Sequence, residues 1–145
     1  MGGIQAFSIR TRPQDIGYPD SWVHGEIAVV GQIVNVGGSF KLNAELSGRA
    51  PLECSRCLKS FDQSVFFRFE TEVEETDIRP QSDLVDISPF IREELIFQEP
   101  MKPLCSEECR GICSHCGAEL NQMDCQCDRT VLDPRLAGLG RLLEP

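Results

Sequence analysis

The chain has 145 residues, which is enough for one domain with a hydrophobic core of its own, and 41% of them are hydrophobic. This composition excludes a long coiled coil and a disordered tail. The 23 acidic and 14 basic residues give a net charge of −9, which has the wrong sign for a surface that neutralises RNA phosphates.

The N-terminal segment lacks the basic and apolar stretches of an export signal. No run reaches the roughly 18 apolar residues that a membrane span needs. We therefore expect a cytoplasmic protein with no membrane partner.

Residues 20–75 show the two-residue period of half-buried β-strands. The inward positions are Phe40, Leu42, Ala44 and Leu46 in one strand and Val65, Phe67, Phe69 and Val73 in the next. Gly37-Gly38, which follows apolar residues 27–36, predicts a tight hairpin turn. The pattern predicts an antiparallel sheet over about residues 20–87, either open or closed into a barrel, with acidic residues 74–83 as a solvated loop.

Two helices are predicted after the sheet. The first covers residues 88–98, because Ser88 can cap free amides and Pro89 suits the first helical position. Its apolar face consists of Phe90, Ile91, Leu95 and Ile96. A short closing helix is predicted over residues 133–143, with Leu136, Leu139, Leu142 and Leu143 facing inward. Together these elements predict a single α+β domain over residues 1–145.

Cysteine is the unusual feature of the composition. The eight cysteines are Cys54, Cys57, Cys105, Cys109, Cys113, Cys116, Cys125 and Cys127. Without an export signal we expect a reducing compartment, where such a set indicates metal ligands or redox groups before disulfides. The segment of residues 105–127 has too few large apolar residues for a core, so a cross-link must replace packing there.

The cysteine spacing predicts structural zinc, bound as one or two ions. Cys113 and Cys116, followed by Gly117, form a zinc-knuckle signature, and Cys54 and Cys57 have the same spacing without the glycine. Cys105 and Cys109 would meet on one face of a helical turn. Cys125 and Cys127 would point to opposite sides of an extended strand.

Our preferred partition joins Cys113 and Cys116 to Cys125 and Cys127, and Cys54 and Cys57 to Cys105 and Cys109. Other partitions stay open, and a single ion would retain Cys113 and Cys116. A structural zinc contributes roughly 10–16 kcal/mol, so one site could decide whether residues 105–127 fold.

Other uses of these residues are open to test. Cys-x-x-Cys pairs can cycle between dithiol and disulfide, although neither pair has the strand before it and the helix after it that lower a thiol pKa. His24-Gly-Glu26 before Cys54 echoes the zinc deaminase signature, but Glu53 replaces its proline. His115 fits an exposed loop position better than a ligand position. With no phosphate loop, nucleophile elbow or carboxylate pair, we expect no catalysis and no small-molecule substrate.

Five segments resemble the YceD family, the large ribosomal RNA subunit accumulation proteins. They are Cys54-Ser-Arg-Cys57-Leu58, Pro100-Met-Lys-Pro-Leu-Cys105, Cys109-Arg-Gly-Ile-Cys113-Ser-His-Cys116-Gly-Ala-Glu-Leu-Asn121, Cys125-Gln-Cys127 and Asp133-Pro-Arg-Leu136. The resemblance spans about residues 20–143. It implies a bacterial or plastid protein without known catalysis that is needed for accumulation of large-subunit ribosomal RNA, and it implies that any zinc is structural.

The acidic charge favours an indirect role in ribosome biogenesis. We expect the acidic surface around residues 70–86 to bind a basic ribosomal or ribosome-assembly protein, so that ribosomal RNA is affected indirectly. Arg110, Arg129, Arg135 and Arg141 offer a competing patch for RNA phosphates. A thiol-disulfide redox protein or redox sensor is the alternative function.

Overall fold

A computed structural model describes residues 3–37, 39–74, 78–79, 84–128, 133–136 and 138–139. Its main element is a four-stranded antiparallel sheet in the order β1-β2-β3-β4. The strands are β1 (Ile4–Thr11), β2 (His24–Val36), β3 (Ser39–Glu53) and β4 (Ser60–Val73). The antiparallel sheet and the tight connection at Gly37, next to the paired Val36 and Ser39, confirm the sequence predictions. The sheet also includes β1, which the sequence pattern did not predict.

The core lies on one face of this sheet. Leu42 and Leu46 of β3 and Ile27 and Val29 of β2 are all 0% exposed. Register places Leu46 opposite both Val29 and Phe67, so the predicted alternation reflects one buried face.

The sheet is open, with β1 and β4 at its two edges. The described strands therefore do not form the closed barrel that the sequence left as one alternative. Four strands are also fewer than the roughly five to eight from which small barrels are built.

The predicted acidic loop over residues 74–83 is partly strand. A two-stranded hairpin joins β5 (Ile78–Arg79) to β6 (Leu84–Val85). The prediction of a loop is therefore wrong for residues 78–79, which are strand. Residues 75–77 and 80–83 lie outside the described residues.

Helix α1 (Ser88–Phe97) covers the core face of the sheet and confirms the predicted helix. Its N-cap is Ile87, and the Asp86 carboxylate accepts the Ser88 N–H at 3.0 Å, so the predicted Ser88 cap is wrong. Leu95 is 0% exposed, whereas Ile96 is 51% exposed because the next helical position is rotated by about 100°. The prediction for Ile96 is therefore also wrong.

The predicted closing helix over residues 133–143 is not confirmed. Residues 133–136 and 138–139 form turns whose hydrogen bonds join residues three positions apart, as in a 3-10 helix. They run from Leu136 N–H to Asp133 O and from Leu139 N–H to Leu136 O. Leu136 and Leu139 are each 57% exposed, so they do not face inward as predicted. Residues 137 and 140–143, with Leu142 and Leu143, lie outside the described residues.

None of the helices in the described part of the chain is long and apolar enough to cross a membrane.

Candidate metal centres

The eight cysteines gather into two groups of four. The hairpin tetrad consists of Cys54, Cys57, Cys105 and Cys109, and the C-terminal tetrad consists of Cys113, Cys116, Cys125 and Cys127. Within each tetrad all sulfur atoms lie within 4.8 Å of one another. These are the two groups of the preferred sequence partition.

The sulfur spacing in the hairpin tetrad matches a tetrahedral metal site. The Sγ atoms of Cys54 and Cys109 are 3.8 Å apart, and those of Cys57 and Cys105 are 3.7 Å apart. Four sulfurs placed about 2.3 Å from a zinc ion would be about 3.8 Å apart, whereas a disulfide would need about 2.05 Å. All eight cysteines are free thiols, so both tetrads could hold a metal ion.

The hairpin tetrad begins at the tip of the β3–β4 hairpin, where residues 54–59 form the first knuckle. Cys54 N–H donates to Lys59 O at 2.9 Å, and Leu58 N–H donates to Cys54 O at 2.8 Å. The second knuckle, residues 113–118, repeats both bonds, from Cys113 N–H to Ala118 O at 2.8 Å and from Gly117 N–H to Cys113 O at 2.9 Å. The shared Cys-x-x-Cys spacing therefore produces the same local backbone twice.

Leu58 occupies the position that glycine occupies in the second knuckle. Its φ is 60°, close to the 70° of Gly117, although a left-handed conformation costs a residue with a Cβ about 1–2 kcal/mol. The Leu58 side chain is 56% exposed. The Cys54–Cys57 spacing predicts a knuckle that lacks the glycine, and it gives no sign that leucine adopts the left-handed conformation.

The first knuckle binds the cysteine-rich segment through main-chain contacts. Ser55 N–H donates to Pro103 O at 2.9 Å, and Ile112 N–H donates to Arg56 O at 3.2 Å. The Arg56 guanidinium donates to Glu107 O and Cys109 O, each at 2.9 Å. These bonds hold Cys105 and Cys109 next to Cys54 and Cys57.

Gly111 permits this close approach. Its φ is 76°, and a Cβ at this position would lie 2.9 Å from Arg56 O. On the other side, Gly111 O accepts the Leu120 N–H at 2.9 Å, while Lys59 Nζ pairs with Glu119 at 2.5 Å. The segment between Cys109 and Cys113 is thus held by both knuckle regions.

The two remaining cysteine pairs differ from their predicted local structure. Cys109 N–H donates to Ser106 O at 3.1 Å in a turn, so Cys105 and Cys109 are not on a helix. Cys125 and Cys127 lie in irregular chain, which allows both sulfurs to reach one tetrad. Neither His24, at the start of β2, nor His115 belongs to a tetrad.

Two hydrogen bonds to sulfur come from residues that are not members of a tetrad. The His115 backbone N–H donates to Cys113 Sγ at 3.4 Å, and Asn121 Nδ2 donates to Cys109 Sγ at 3.2 Å. Sequence reasoning gave His115 no ligand role and assigned no role to Asn121. Both donors favour the thiolate form that a metal requires.

In each tetrad the pKa of one thiol is strongly lowered and that of another is strongly raised. Backbone N–H groups, led by Cys105 for Cys54 and by Cys116 for Cys113, lower the pKa of both Cys54 and Cys113 to about 6. Hydrogen bonds with neighbouring cysteines raise the pKa of Cys105 and of Cys127 to about 12. These raised pKa values favour the neutral thiol of Cys105 and Cys127, and a bound cation would favour the thiolate instead.

The tetrads differ in exposure. In the hairpin tetrad Cys54, Cys57 and Cys109 are buried and Cys105 is exposed. In the C-terminal tetrad only Cys113 is buried. The C-terminal tetrad is therefore the more accessible of the two to chelators and oxidants.

Comparison with known proteins identifies the family. A family model described as "Large ribosomal RNA subunit accumulation protein YceD" matches residues 42–143, which confirms the resemblance found in the sequence. The chain is 24% identical over 177 aligned positions to "Large ribosomal RNA subunit accumulation protein YCED homolog 1, chloroplastic" of Arabidopsis thaliana, with 96% of this chain and 54% of that protein covered. It is 29% identical over 109 positions to the uncharacterized protein YlbN of Bacillus subtilis (strain 168), with 68% of this chain and 63% of that protein covered.

The chain thus spans less than two thirds of the length of both relatives. No solved structure matches it. The family match covers well over half of the chain and includes both tetrads. The chain therefore belongs to the YceD family of large ribosomal RNA subunit accumulation proteins.

Proposed function

We propose that this protein is a non-catalytic factor that supports accumulation of large-subunit ribosomal RNA by binding a basic ribosomal or ribosome-assembly protein. The family match over residues 42–143 carries this proposal, because the family is named for that role and the match includes the whole cysteine framework. The net charge of −9 favours a basic partner.

Each tetrad is proposed to bind one structural zinc ion. The 3.7 and 3.8 Å sulfur distances support a tetrahedral ligand set in the hairpin tetrad, and in the C-terminal tetrad all four sulfurs lie within 4.8 Å of one another. Four cysteines form one of the common closed structural zinc sites. The zinc ions would fix residues 103–127 against the tip of the β3–β4 hairpin. Their proposed role is to build a rigid surface, and the ions take no part in chemistry.

Three basic residues near the tetrads are already bonded within the protein. Arg56 donates to main-chain carbonyls, Lys59 pairs with Glu119, and Arg110 pairs with Asp124 at 2.6 Å. Each tetrathiolate zinc would add a further formal charge of about −2. This balance supports a basic protein as partner over the phosphates of naked RNA.

The arginine patch proposed for RNA is weakened in the same way. Arg110 and Arg135 each pair with a carboxylate, since Arg135 lies 3.0 Å from Asp133. Arg129 and Arg141 lie outside the described residues. On the acidic surface, Glu70 and Glu72 lie on the outer face of β4, where Lys41 pairs with Glu70 at 3.3 Å.

The cellular test is the ratio of large-subunit to small-subunit ribosomal RNA in cells that lack the protein. We expect the ratio to fall and to be restored by the wild-type gene. Cys54→Ser should restore the ratio less than Ser55→Ala does, because Cys54 is a proposed zinc ligand. Ser55→Ala is the matched control on the same knuckle, since Ser55 bonds to Pro103 O through its backbone N–H, which alanine retains. An unchanged ratio in the deletion strain contradicts the proposed role.

The partner is tested by binding at increasing salt. Purified protein should bind basic large-subunit proteins and leave naked ribosomal RNA unbound at physiological ionic strength. Tight RNA binding that declines steeply with salt would show direct phosphate contact instead.

Metal analysis distinguishes the structural role from the redox alternative. Metal-free, readily oxidised thiols would favour disulfide cycling over a structural role.

A further inference from the structure

Asn121 connects the two tetrads through its side-chain amide. Its Nδ2 donates to Cys109 Sγ at 3.2 Å, and its Oδ1 accepts the Arg110 N–H at 2.7 Å. Both contacts are to the chain segment that supplies a ligand of the hairpin tetrad. Asn121 itself lies in residues 117–124, the loop between the two ligand pairs of the C-terminal tetrad.

Both ends of this loop are set by C-terminal tetrad ligands. Cys116 precedes it and Cys125 follows it, so an ion in that tetrad would close the loop and restrict Asn121. The loop also bonds to the segment shared by the tetrads, since Leu120 N–H donates to Gly111 O at 2.9 Å. An ion in the C-terminal tetrad would therefore hold the amide donor against Cys109.

We propose, on the basis of the zinc binding proposed above, that Asn121 is a positioning residue that couples the two metal centres. An ion in the C-terminal tetrad fixes the loop, the fixed loop presents the Asn121 amide to Cys109, and the hairpin tetrad binds its own ion more tightly. Thermodynamic linkage makes the effect reciprocal. The two centres consequently fill with positive cooperativity.

The expected size follows from related outer-shell contacts. Loss of a hydrogen bond to a metal ligand lowers metal affinity about 10–100-fold, and coupling between sites changes affinity about 5–150-fold. We therefore expect a change of about tenfold or more in hairpin-tetrad affinity on loss of either the amide or the C-terminal ion.

The test is a Co²⁺ titration of the full chain in competition with a chelator, with the visible and charge-transfer bands as readout. Cys116→Ser combined with Cys127→Ser disables the C-terminal tetrad without altering Cys113 in the shared segment. Asn121→Ala removes the amide, and a third variant carries all three substitutions. Gln122→Ala, at the neighbouring exposed amide, is the matched control.

We expect the Co²⁺ affinity of the hairpin tetrad to fall about tenfold or more in the double cysteine variant and in Asn121→Ala. The variant with all three substitutions should lose no more affinity than either of these. Asn121→Ala should also move the charge-transfer band of the hairpin tetrad, which a loop defect alone would not do. Asn121→Asp retains the acceptor for Arg110 N–H and should still lower affinity, because it lacks the donor to sulfur.

Three results would overturn the coupling. They are unchanged hairpin-tetrad affinity after loss of the C-terminal ligands, fully multiplicative losses in the third variant, or equal losses in Gln122→Ala and Asn121→Ala. If wild-type protein gives no tetrathiolate Co²⁺ spectrum, the zinc proposal itself fails and the coupling with it. Protection of β3 and β4 amides from exchange verifies that each variant keeps its sheet.

Discussion

Replacing Gly111 with alanine should separate the cysteine-rich segment from the β3–β4 hairpin. The new Cβ would lie 2.9 Å from Arg56 O and 3.3 Å from Arg56 Cβ, in a backbone with φ of 76°. Arg56 O cannot move away freely, because it accepts the Ile112 N–H at 3.2 Å. The substitution therefore forces apart the two segments of the chain that supply the cysteines of the hairpin tetrad.

Gly117 provides the matched control. Its φ is 70°, yet a Cβ there would meet no atom within 4 Å. Gly117→Ala should therefore cost only the left-handed conformation, about 1–2 kcal/mol. Gly111→Ala adds the cost of overpacking, about 1–3 kcal/mol, for a total of about 2–5 kcal/mol.

Amide exchange at Ile112 measures this effect directly, because its N–H makes the bond to Arg56 O. We expect exchange at Ile112 to accelerate at least about fivefold more in Gly111→Ala than in Gly117→Ala, since 1.4 kcal/mol corresponds to about a factor of ten. Urea unfolding of the metal-loaded proteins should rank the variants in the same order. Equal effects of the two substitutions would refute the close contact.

Three further perturbations test other parts of the structure. Leu95→Ala should cost about 2–5 kcal/mol in urea unfolding and Ile96→Ala less than about 1 kcal/mol, because Leu95 is 0% and Ile96 51% exposed; similar costs would contradict the orientation of α1. Cys113→Ser should abolish amide protection over residues 113–127, and protection equal to wild type would count against metal-dependent folding. The Tyr18 hydroxyl donates to Glu99 Oε2 at 3.5 Å. Burial, reinforced by the Glu99 charge, raises the pKa of Tyr18, so its neutral form stabilises the fold below pH 10 and that contribution is lost as pH rises through the raised pKa. Tyr18→Phe should therefore weaken the alkaline decline in melting temperature, and an identical decline would exclude the Tyr18–Glu99 contact as its cause.

Local patterns predicted the parts of the fold that bury one face. The alternation around Leu42, Leu46 and Phe67 identified β3 and β4, and Ile91 and Leu95 identified α1, because in each case a single face meets the core. Strand β1 escaped prediction because it is an edge strand in which only Phe7 and Ile9 pack against the core. Two apolar positions are too few to distinguish a strand from a loop.

The candidate site was predictable where it depends on spacing along the chain. Cys-x-x-Cys turns bring two sulfurs together locally, but spacing alone left the combination of pairs open. The structure groups them as in the preferred partition. The contacts that position these turns were not predictable, because they join distant segments. Gly111 against Arg56, Asn121 against Cys109 and the left-handed Leu58 become evident only when the hairpin tip and residues 103–121 are seen together.

Metal content and sulfur coordination, measured on protein purified without chelators, test most directly whether metal organises residues 103–127. We predict two zinc ions per chain, each with four sulfur neighbours at about 2.3 Å by X-ray absorption. A metal-free chain whose residues 103–127 are nevertheless protected from amide exchange, with all eight thiols free, would contradict this prediction.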